Sequence, residues 1–527
     1  MPHHRLELFT LKNRSLSTLP VIEEPVGDRS AGKSLIGKVL SRKLGPRSQS
    51  SGKFGRYAFC GLLIAIATLG LTACGPYYYK FPVYTFANRP IPPSKLAQRV
   101  MISVGNAGAG GSGGALAIID AKRDIRSNVQ NTITNFAVSG FSAGMPGQIL
   151  SFPEQTRGYV YSNADGSLTT IDYGKEATAG SAGTFPARSN ALAVPTDFAR
   201  IFSAEETSGQ LVVLDNSTGK AYALNLPNVY QVAANTGDTV AIAMVRNSNT
   251  LYQVVKLNAN QPNPPNFVDC QPYNLPVYCV VPVPGTYDRP VGAFFSLDGT
   301  TAYILNCGPE CGGTTASVTV LQQGALNINN AATGASVASA FIANIPVPGG
   351  VTTALSDGST LYVAGQQQQA DGLFSGNLST ISLASNAITG KYSISDGYHT
   401  KLLFAEDNTL WIGSQFCSTG ERAKLGQNYN CLTRFDMGAK TAAVVPAATP
   451  GGATTVPFPN TNLNPYYYGD LTGLCWVQTF HKVYTAYGGQ VHAFNTADGS
   501  EINNFLVTVQ GTALDVAYLD ASTNAAN

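Results

Sequence analysis

The sequence predicts an all-β fold, a single β-propeller in which eight blades are favoured and seven are the alternative. Three observations predict it: the composition, a strand–turn–strand pattern that recurs along the chain, and incomplete repeats at its two ends. Only 12% of the residues are charged, and the chain contains 54 glycines. Such a composition is typical of a turn-rich β protein and not of a helical one.

Each repeat contains a short apolar strand, a turn such as Asp-Gly, a second apolar strand, a polar hairpin loop and a third strand. Residues 190–215 show the whole pattern, which ends in an aliphatic residue followed by Asp215. The third strands of successive units end 43 to 63 residues apart. Units of this length with three or four short strands are typical of propeller blades. The units that end near 258 and 321 are the weakest, hence the alternative count of seven. The third strands end near residues 120, 172, 215, 258, 321, 382, 436 and 495.

The two ends of the repeat region complement each other. Residues 99–120 begin at the second strand of a unit, whereas residues 513–520 have the pattern of a first strand with nothing after it. We expect these segments to pair and close the ring, because an open ring would leave unpaired strand edges. The propeller is therefore predicted over residues 99–520, with a disordered tail at 521–527.

Two short motifs carry a family resemblance. Leu361-Tyr362-Val363 and Ile171-Asp172 resemble the bacterial YVTN-type and lactonase-like propeller repeats. The resemblance covers about residues 99–520 and implies architecture. It does not imply an activity, because that fold hosts binding proteins, lyases, lactonases and scaffolds.

The chain also carries a motif that resembles a bacterial lipoprotein signal. Basic residues and the apolar segment 58–71 precede Ala73-Cys74-Gly75, and the apolar centre has the length of a signal peptide. The resemblance implies cleavage between Ala73 and Cys74 and attachment of lipid, with acyl chains such as palmitate, at Cys74. The protein would then face an extracytoplasmic space, and Gly75 in place of Asp favours the outer membrane, on its periplasmic or surface face.

Two further segments flank the cleavage site. Residues 1–73 are predicted to be a leader and signal peptide, with residues 1–50 either disordered or upstream of the true translation start. Residues 75–98 are rich in proline and tyrosine, and we expect a tether that reaches at most about 80 Å.

Nucleotides and nucleic acids are not expected as partners. Gly27–Ser34 matches the phosphate-loop pattern, but that motif binds nucleotide only between a strand and a helix of a βαβ unit, and no βαβ alternation follows. After residue 73 the chain holds 22 of the 33 basic and 27 of the 31 acidic residues, a formal charge of −5. A mildly acidic chain without a basic cluster is unsuited to nucleic acid.

Six of the nine cysteines form close pairs in the sequence. Each pair lies within one inserted loop, which predicts local disulfides in an oxidising compartment. The alternative, zinc, needs four nearby ligands, so we predict no metal site. Cys475 lies in an apolar segment and is expected to be a buried thiol. The three predicted pairs are Cys270–Cys279, Cys307–Cys311 and Cys417–Cys431.

Few residues of the sequence are candidates for catalysis. His399, His481 and His492 lie in different units, so no catalytic residue is assigned, and a general base would have to be Asp or Glu. We expect Glu205-Glu206 to lie in a solvated hairpin loop and Gln366–Gln369 to form a polar loop.

A cluster of aromatic residues is the candidate contact surface. Tyr466, Tyr467 and Tyr468 follow an insertion rich in Pro, Thr and Asn. Clustered exposed aromatics suit a protein or glycan partner, and packing over a blade is the alternative.

These observations favour an envelope-anchored binding or scaffold module with no cofactor, rather than an enzyme. One alternative is a lactonase-like hydrolase with its site at the propeller channel, which predicts carboxylate or histidine groups within about 4 Å of one point near the axis. The other is an assembly factor for outer-membrane proteins.

Overall fold

The computed structural model describes residues 91–107, 113–127, 136–151, 156–329, 340–424, 430–446, 468–502 and 506–521. Residues 1–70 and 71–527 separate into two compact units, and every described residue belongs to the second. The predicted leader and signal peptide (residues 1–73) and Cys74 lie outside the described residues. Within the described part, no helix is both long and apolar enough to cross a membrane.

The strands form eight antiparallel sheets, here called blades 1 to 8. Blades 1 to 4 are given in order from the inner to the outer strand. Blade 1 contains β32 (Thr512–Tyr518), β1 (Arg99–Gly105) and β2 (Gly114–Asp120). Blade 2 contains β3 (Pro146–Ser151), β4 (Arg157–Ser162), β5 (Ser167–Asp172) and β6 (Ala177–Thr184). Blade 3 contains β7 (Ala191–Ala193), β8 (Arg200–Glu205), β9 (Gln210–Asp215) and β10 (Lys220–Asn225). Blade 4 contains β11 (Val229–Ala234), β12 (Ala241–Val245), β13 (Leu251–Lys256), β15 (Tyr278–Val283) and β14 (Asp269–Gln271).

The second half of the ring follows the same order. Blade 5 contains β16 (Pro290–Phe295), β17 (Thr301–Asn306), β18 (Ser317–Gln322) and β19 (Phe341–Pro346). Blade 6 contains β20 (Thr353–Ser356), β21 (Thr360–Gln368), β22 (Phe374–Ser382) and β23 (Ala387–Ser393). Blade 7 contains β24 (Tyr398–Ala405), β25 (Thr409–Gln415), β26 (Leu432–Asp436) and β27 (Thr441–Val444). Blade 8 contains β28 (Leu471–Val477), β29 (Lys482–Tyr487), β30 (Gln490–Asn495) and β31 (Glu501–Ile502).

The predicted all-β fold with eight blades is confirmed. The units that end near 258 and 321 are both complete blades. The unit after residue 258 is long because it carries β14, a fifth strand that pairs with β15 at the outer edge of blade 4. Among the described residues the only α-helix is α1 (Glu421–Lys424), and it lies in a loop of blade 7.

The predicted ring closure is also confirmed. β1 pairs with β2 on one side and with the C-terminal β32 on the other, so that the two ends of the chain complete blade 1. Residues 136–138 supply its outer edge: the Ile118 amide donates to the Phe136 carbonyl at 2.8 Å, and the Val138 amide donates to the Leu116 carbonyl at 2.9 Å. Both edges of β1 are therefore paired, which removes the free edges of an open ring.

Apolar side chains hold neighbouring blades together. A separate cluster of buried apolar residues fills each of the eight interfaces between adjacent blades, including the one between blades 8 and 1. In the interface of blades 6 and 7, for example, Tyr362 and Tyr392 pack against Phe435. Because each blade buries its two faces only against its neighbours, the ring is stable only when it is closed.

The Asp-Gly turns of the repeat have a local cause. Gly358 has a φ of +91°, a conformation that a residue with a side chain rarely adopts. The preceding Asp357 carboxylate accepts hydrogen bonds from the amides of Ser359 and Thr360, both at 2.8 Å. Its other oxygen accepts a hydrogen bond from the Tyr362 hydroxyl at 3.1 Å. The turn and the tyrosine of Leu-Tyr-Val therefore stabilise the same hairpin.

The strand directions define two faces of the ring. The lower face is the one that carries two turns of a typical blade, the turn from the first to the second strand and the turn from the third to the fourth. The upper face carries the connections between second and third strands and those between blades. The chain reaches the ring on the lower face, where the Ser94 hydroxyl donates to the Glu176 carboxylate at 2.6 Å.

Candidate ligand site at the propeller axis

Two cavities lie along the axis of the ring, between the inner strands. The first has a volume of about 380 Å³ and is lined by parts of β3, β24, β28 and β32, with Lys401 and Asp515 among its walls. The second has a volume of about 320 Å³, includes Tyr398 and His399, and lies between β7, β11, β16, β20 and β24. Val194 lines both cavities.

The charged groups of the first cavity come from inner strands of different blades. The Lys401 Nζ lies 3.8 Å from Asp515 Oδ1, and Asp515 Oδ2 accepts a hydrogen bond from the Ile149 amide at 2.9 Å. Asp515 therefore links blade 1 to blades 2 and 7. Burial raises the pKa of Asp515, and the Lys401 ammonium opposes that rise. A glycine is required at position 473, because a Cβ there would lie 2.7 Å from Asp515 Oδ1.

An arginine directly follows β12, beside the upper end of β11, a strand that lines the second cavity. The Arg246 guanidinium covers the ring of Tyr230, 4.5 Å from its centroid, and its Nη2 donates to Glu206 Oε2 at 2.8 Å. The Asn190 amide donates to the same carboxylate at 3.0 Å. Blades 3 and 4 therefore hold the guanidinium in one orientation, and half of its side chain is exposed, 49%.

A glutamate of blade 5 is held on the upper face by a disulfide-closed turn. Glu310 lies in a 3-10 turn, Gly308–Cys311, that the Cys307–Cys311 bond closes. Its carboxylate accepts hydrogen bonds from the Gln366 backbone amide at 2.8 Å and from the Gln366 side chain at 3.1 Å. Burial raises the pKa of Glu310 to about 7, and the two Gln366 donors act against that rise. Glu310 can therefore gain or lose a proton near neutral pH.

Tyr398 lies at the upper end of the second cavity, which we call the opening. It is the first residue of β24 and lines the second cavity. Burial, followed by the nearby Glu310 charge, raises the pKa of Tyr398 to about 12, while Arg246 acts in the opposite direction. The hydroxyl therefore keeps its proton and can donate a hydrogen bond. Blades 4, 5 and 7 thus place a cation, a carboxyl group and a hydroxyl around one opening.

The disulfide prediction agrees with the structure. Cys307–Cys311 and Cys417–Cys431 lie in loops of the upper face, and Cys270–Cys279 joins the paired strands β14 and β15. Cys475 is a free, buried thiol in the wall of the first cavity. Three disulfides fit an oxidising compartment outside the cytosol.

The candidate aromatic surface is only partly described. Tyr466 and Tyr467 lie outside the described residues. Tyr468 stacks on His492, with ring centroids 4.1 Å apart, and its hydroxyl donates to Glu501 at 2.5 Å. Tyr468 therefore packs against blade 8.

The histidines do not converge. His399 is buried in blade 7, where its Nε2 lies 2.9 Å from the Ser395 carbonyl, and His481 is an exposed partner of Asp407. No group of three or more His, Cys, Asp or Glu side chains that could hold a metal ion is present among the described residues.

Two local predictions were wrong, and both concern residues near the opening. Gln366 to Gln368 continue β21 and pair with β22, so only Gln369 of the polar run lies in the loop. Glu205 is buried and not solvated, whereas Glu206 pairs with Arg246. Polar side chains in both segments face partners in the fold, which their composition did not reveal.

Sequence reasoning missed the residues of the opening itself, although one signal was available. Glu310 is the only acidic residue between two closely spaced cysteines, and a short disulfide loop restricts such a side chain. Arg246 and Tyr398 carry no comparable local signal.

These observations define the class of protein: this chain is an eight-bladed β-propeller. No protein-family model matches it, and no curated protein does. Among solved structures it is similar to dihydro-heme d1 dehydrogenase NirN in complex with DHE, with 14% identity over 83% of this chain and 79% of that chain and a TM-score of 0.50. A second similar structure, Kuenenia stuttgartiensis hydrazine synthase, has 14% identity over 70% of this chain and 99% of that chain and a TM-score of 0.43. The likeness to NirN supports the fold alone.

The raised pKa of Glu310 predicts a pH-dependent stability. Because the folded state holds the proton more tightly than the unfolded state, the free energy of unfolding should fall as pH rises from about 4.5 to about 7. Glu310→Gln removes this contribution, so the variant should gain about 3 kcal/mol relative to the parent between pH 4.5 and 8. Urea unfolding at a series of pH values measures the difference.

Glu206→Gln is the matched control. Arg246 lowers the pKa of Glu206, so the parent gains stability from this group as pH rises above the folded-state value. This gain lies below about pH 4.5, so between pH 4.5 and 8 the control profile should run parallel to that of the parent. Parallel profiles for the parent and Glu310→Gln would contradict the raised pKa.

Proposed function

We propose that this chain is a lipid-anchored propeller of the cell envelope that binds a glycan at the upper end of its axial channel. One observation carries the proposal: Arg246 and Glu310 are each fixed by hydrogen bonds near Tyr398, which lines the second cavity. The opening thus offers fixed donors and acceptors beside a cavity of about 320 Å³. Few, well-placed polar groups around a concave site suit a ligand rich in hydroxyl groups.

Glycan binding is tested by removing single polar groups from the opening. Arg246→Met and Tyr398→Phe should each weaken binding to envelope glycans on an array about tenfold, the effect of losing one good hydrogen bond to a ligand. Lys220→Met, an exposed residue of the lower face, is the control and should bind like the parent. Equal binding by all four proteins would exclude this opening as the site.

Lipid attachment at Cys74 is tested in cells. With a clickable palmitate analogue, the parent should be labelled and should sediment with the envelope. Cys74→Ser should lose the label and accumulate as an unprocessed precursor, because the thiol that accepts the lipid is gone. Cys60→Ser, which removes the cysteine of the predicted leader, is the matched control and should be labelled normally. A labelled Cys74→Ser protein would contradict the proposal.

The second candidate is a hydrolase, and one observation favours it. A carboxyl group whose pKa is raised to about 7 can act as a general acid or base near neutral pH. Screening of ester and lactone substrates tests it. An activity that Glu310→Gln removes, in a variant that still binds glycan, would favour the hydrolase.

A further inference from the structure

The N-terminal segment leaves the ring on its lower face. Ser94 is fixed there by two hydrogen bonds to Glu176, which lies in the turn between β5 and β6. Residues 75–90 separate Cys74 from the first described residue, Ile91, and span at most about 55 Å when fully extended. An anchor at Cys74 would therefore be connected to the ring through its lower face.

The lower side of blades 4 to 6 exposes large apolar side chains. Tyr273 and Leu275, in the loop between β14 and β15, are 77% and 63% exposed. Leu297 lies in the turn between β16 and β17, and Phe341 and Ile388 lie at the start of the outer strands of blades 5 and 6. We call these five residues the apolar rim. Their position on adjacent blades distinguishes them from isolated exposed apolar residues.

The apolar rim has a fixed shape. The loop that carries Tyr273 and Leu275 is closed at its base by Cys270–Cys279, and the Val277 amide donates to the Gln271 carbonyl at 2.8 Å. The neighbouring acidic groups are engaged in their own turns. Asp298, for example, accepts hydrogen bonds from the amide and hydroxyl of Thr300. These carboxylates are therefore occupied within their turns, beside the exposed apolar side chains.

We propose that the apolar rim docks onto the surface of the membrane to which Cys74 is anchored. The inference rests on the proposed lipid anchor, which keeps the lower face near the bilayer. Tyrosine and aliphatic side chains favour the boundary between headgroups and acyl chains. Docking of one sector tilts the ring, so that the opening on the upper face points away from the membrane and stays accessible to its ligand.

The experiment replaces the native anchor, so that its outcome does not depend on acylation. The described residues lie within 91–521, so the chain from residue 75 contains all of them. This chain, with an N-terminal histidine tag, is bound to phosphatidylcholine vesicles that contain a nickel-chelating lipid. A fluorophore is attached at Leu297→Cys in the rim or at Thr207→Cys, an exposed position on the upper face. The buried Cys475 thiol is shielded from the label.

Vesicle binding should reduce quenching of the Leu297→Cys probe by iodide several-fold and should permit quenching by nitroxide lipids. The Thr207→Cys probe should be unaffected. Adding Tyr273→Ser and Leu275→Ser should restore iodide access to the rim probe, whereas Phe416→Ser, an exposed apolar residue of the upper face, should not. Equal iodide access at both probes would overturn the proposal, and so would protection of the rim probe that depends on protein concentration without vesicles, which indicates a second copy. Loss of labelling at Cys74 in cells would refute the anchor and leave this result standing.

Discussion

Replacing Arg99 by methionine is expected to lower the free energy of unfolding by about 3–5 kcal/mol, the cost of breaking a buried ion pair by removing one partner. Arg99 begins β1, and its guanidinium donates to Asp520 Oδ1 at 2.9 Å and to Glu176 Oε1 at 3.0 Å. It also donates to the Tyr173 carbonyl at 2.7 Å. The substitution leaves two buried carboxylates without their cation. Urea unfolding at pH 7 measures the loss.

Two variants decide how that loss is interpreted. Lys175→Met removes an ion pair whose lysine is 80% exposed, and it should cost less than about 1 kcal/mol. Arg99→Met combined with Asp520→Asn should be more stable than Arg99→Met alone, because one uncompensated charge is then absent. If Arg99→Met and Lys175→Met cost the same, the buried network does not stabilise ring closure.

Deleting residues 512–527, which include β32, is expected to abolish cooperative unfolding, whereas moving residues 506–521 to the N-terminus should preserve it. Deletion removes the inner strand of blade 1 and leaves β1 with an unpaired edge. In the permuted chain a short linker after Ala521 leads to residue 94, so that β32 and β1 form an ordinary hairpin. The main-chain amide of Arg99 already donates to Asp520 Oδ2 at 2.7 Å, so the two ends are adjacent.

Circular dichroism and thermal unfolding distinguish these outcomes. The permuted chain should have a single unfolding transition close to that of the parent, because all strand pairs are retained. A truncated protein that unfolds cooperatively at the parent's temperature would show that the ring does not depend on β32. A permuted protein that fails to fold, beside a folded parent, would show that closure requires the original order of the chain.

The sequence predicted the parts of the fold that have local causes. Asp357 and Gly358 form a tight turn through local hydrogen bonds and the backbone conformation of Gly358, and the aromatic and β-branched residues of Leu361-Tyr362-Val363 favour a strand. Repetition of such units gave the count of eight, and the missing strand before Val100 together with the spare strand after residue 512 gave the closure. The disulfides were predictable for the same reason, because each links residues that are close in the sequence.

The opening at the axis could not be predicted in this way. Glu310 meets Gln366 across 56 residues of sequence, and Lys401 meets Asp515 although they belong to different blades. The alternation of apolar and polar residues states which face of a strand is buried. It carries no information about which polar group of one blade faces which group of the next.

By itself, the sequence determined that this protein is a ring of eight sheets closed by its own two ends, because turns, strands and short disulfide loops follow from neighbouring residues. The tertiary structure alone decided which side chains surround the axis and which apolar side chains remain exposed on the lower face. Those contacts depend on how each blade is oriented relative to its neighbours and on how inserted loops, such as the one before β15, pack against the ring. The packing of all eight blades together determines these orientations and loop positions.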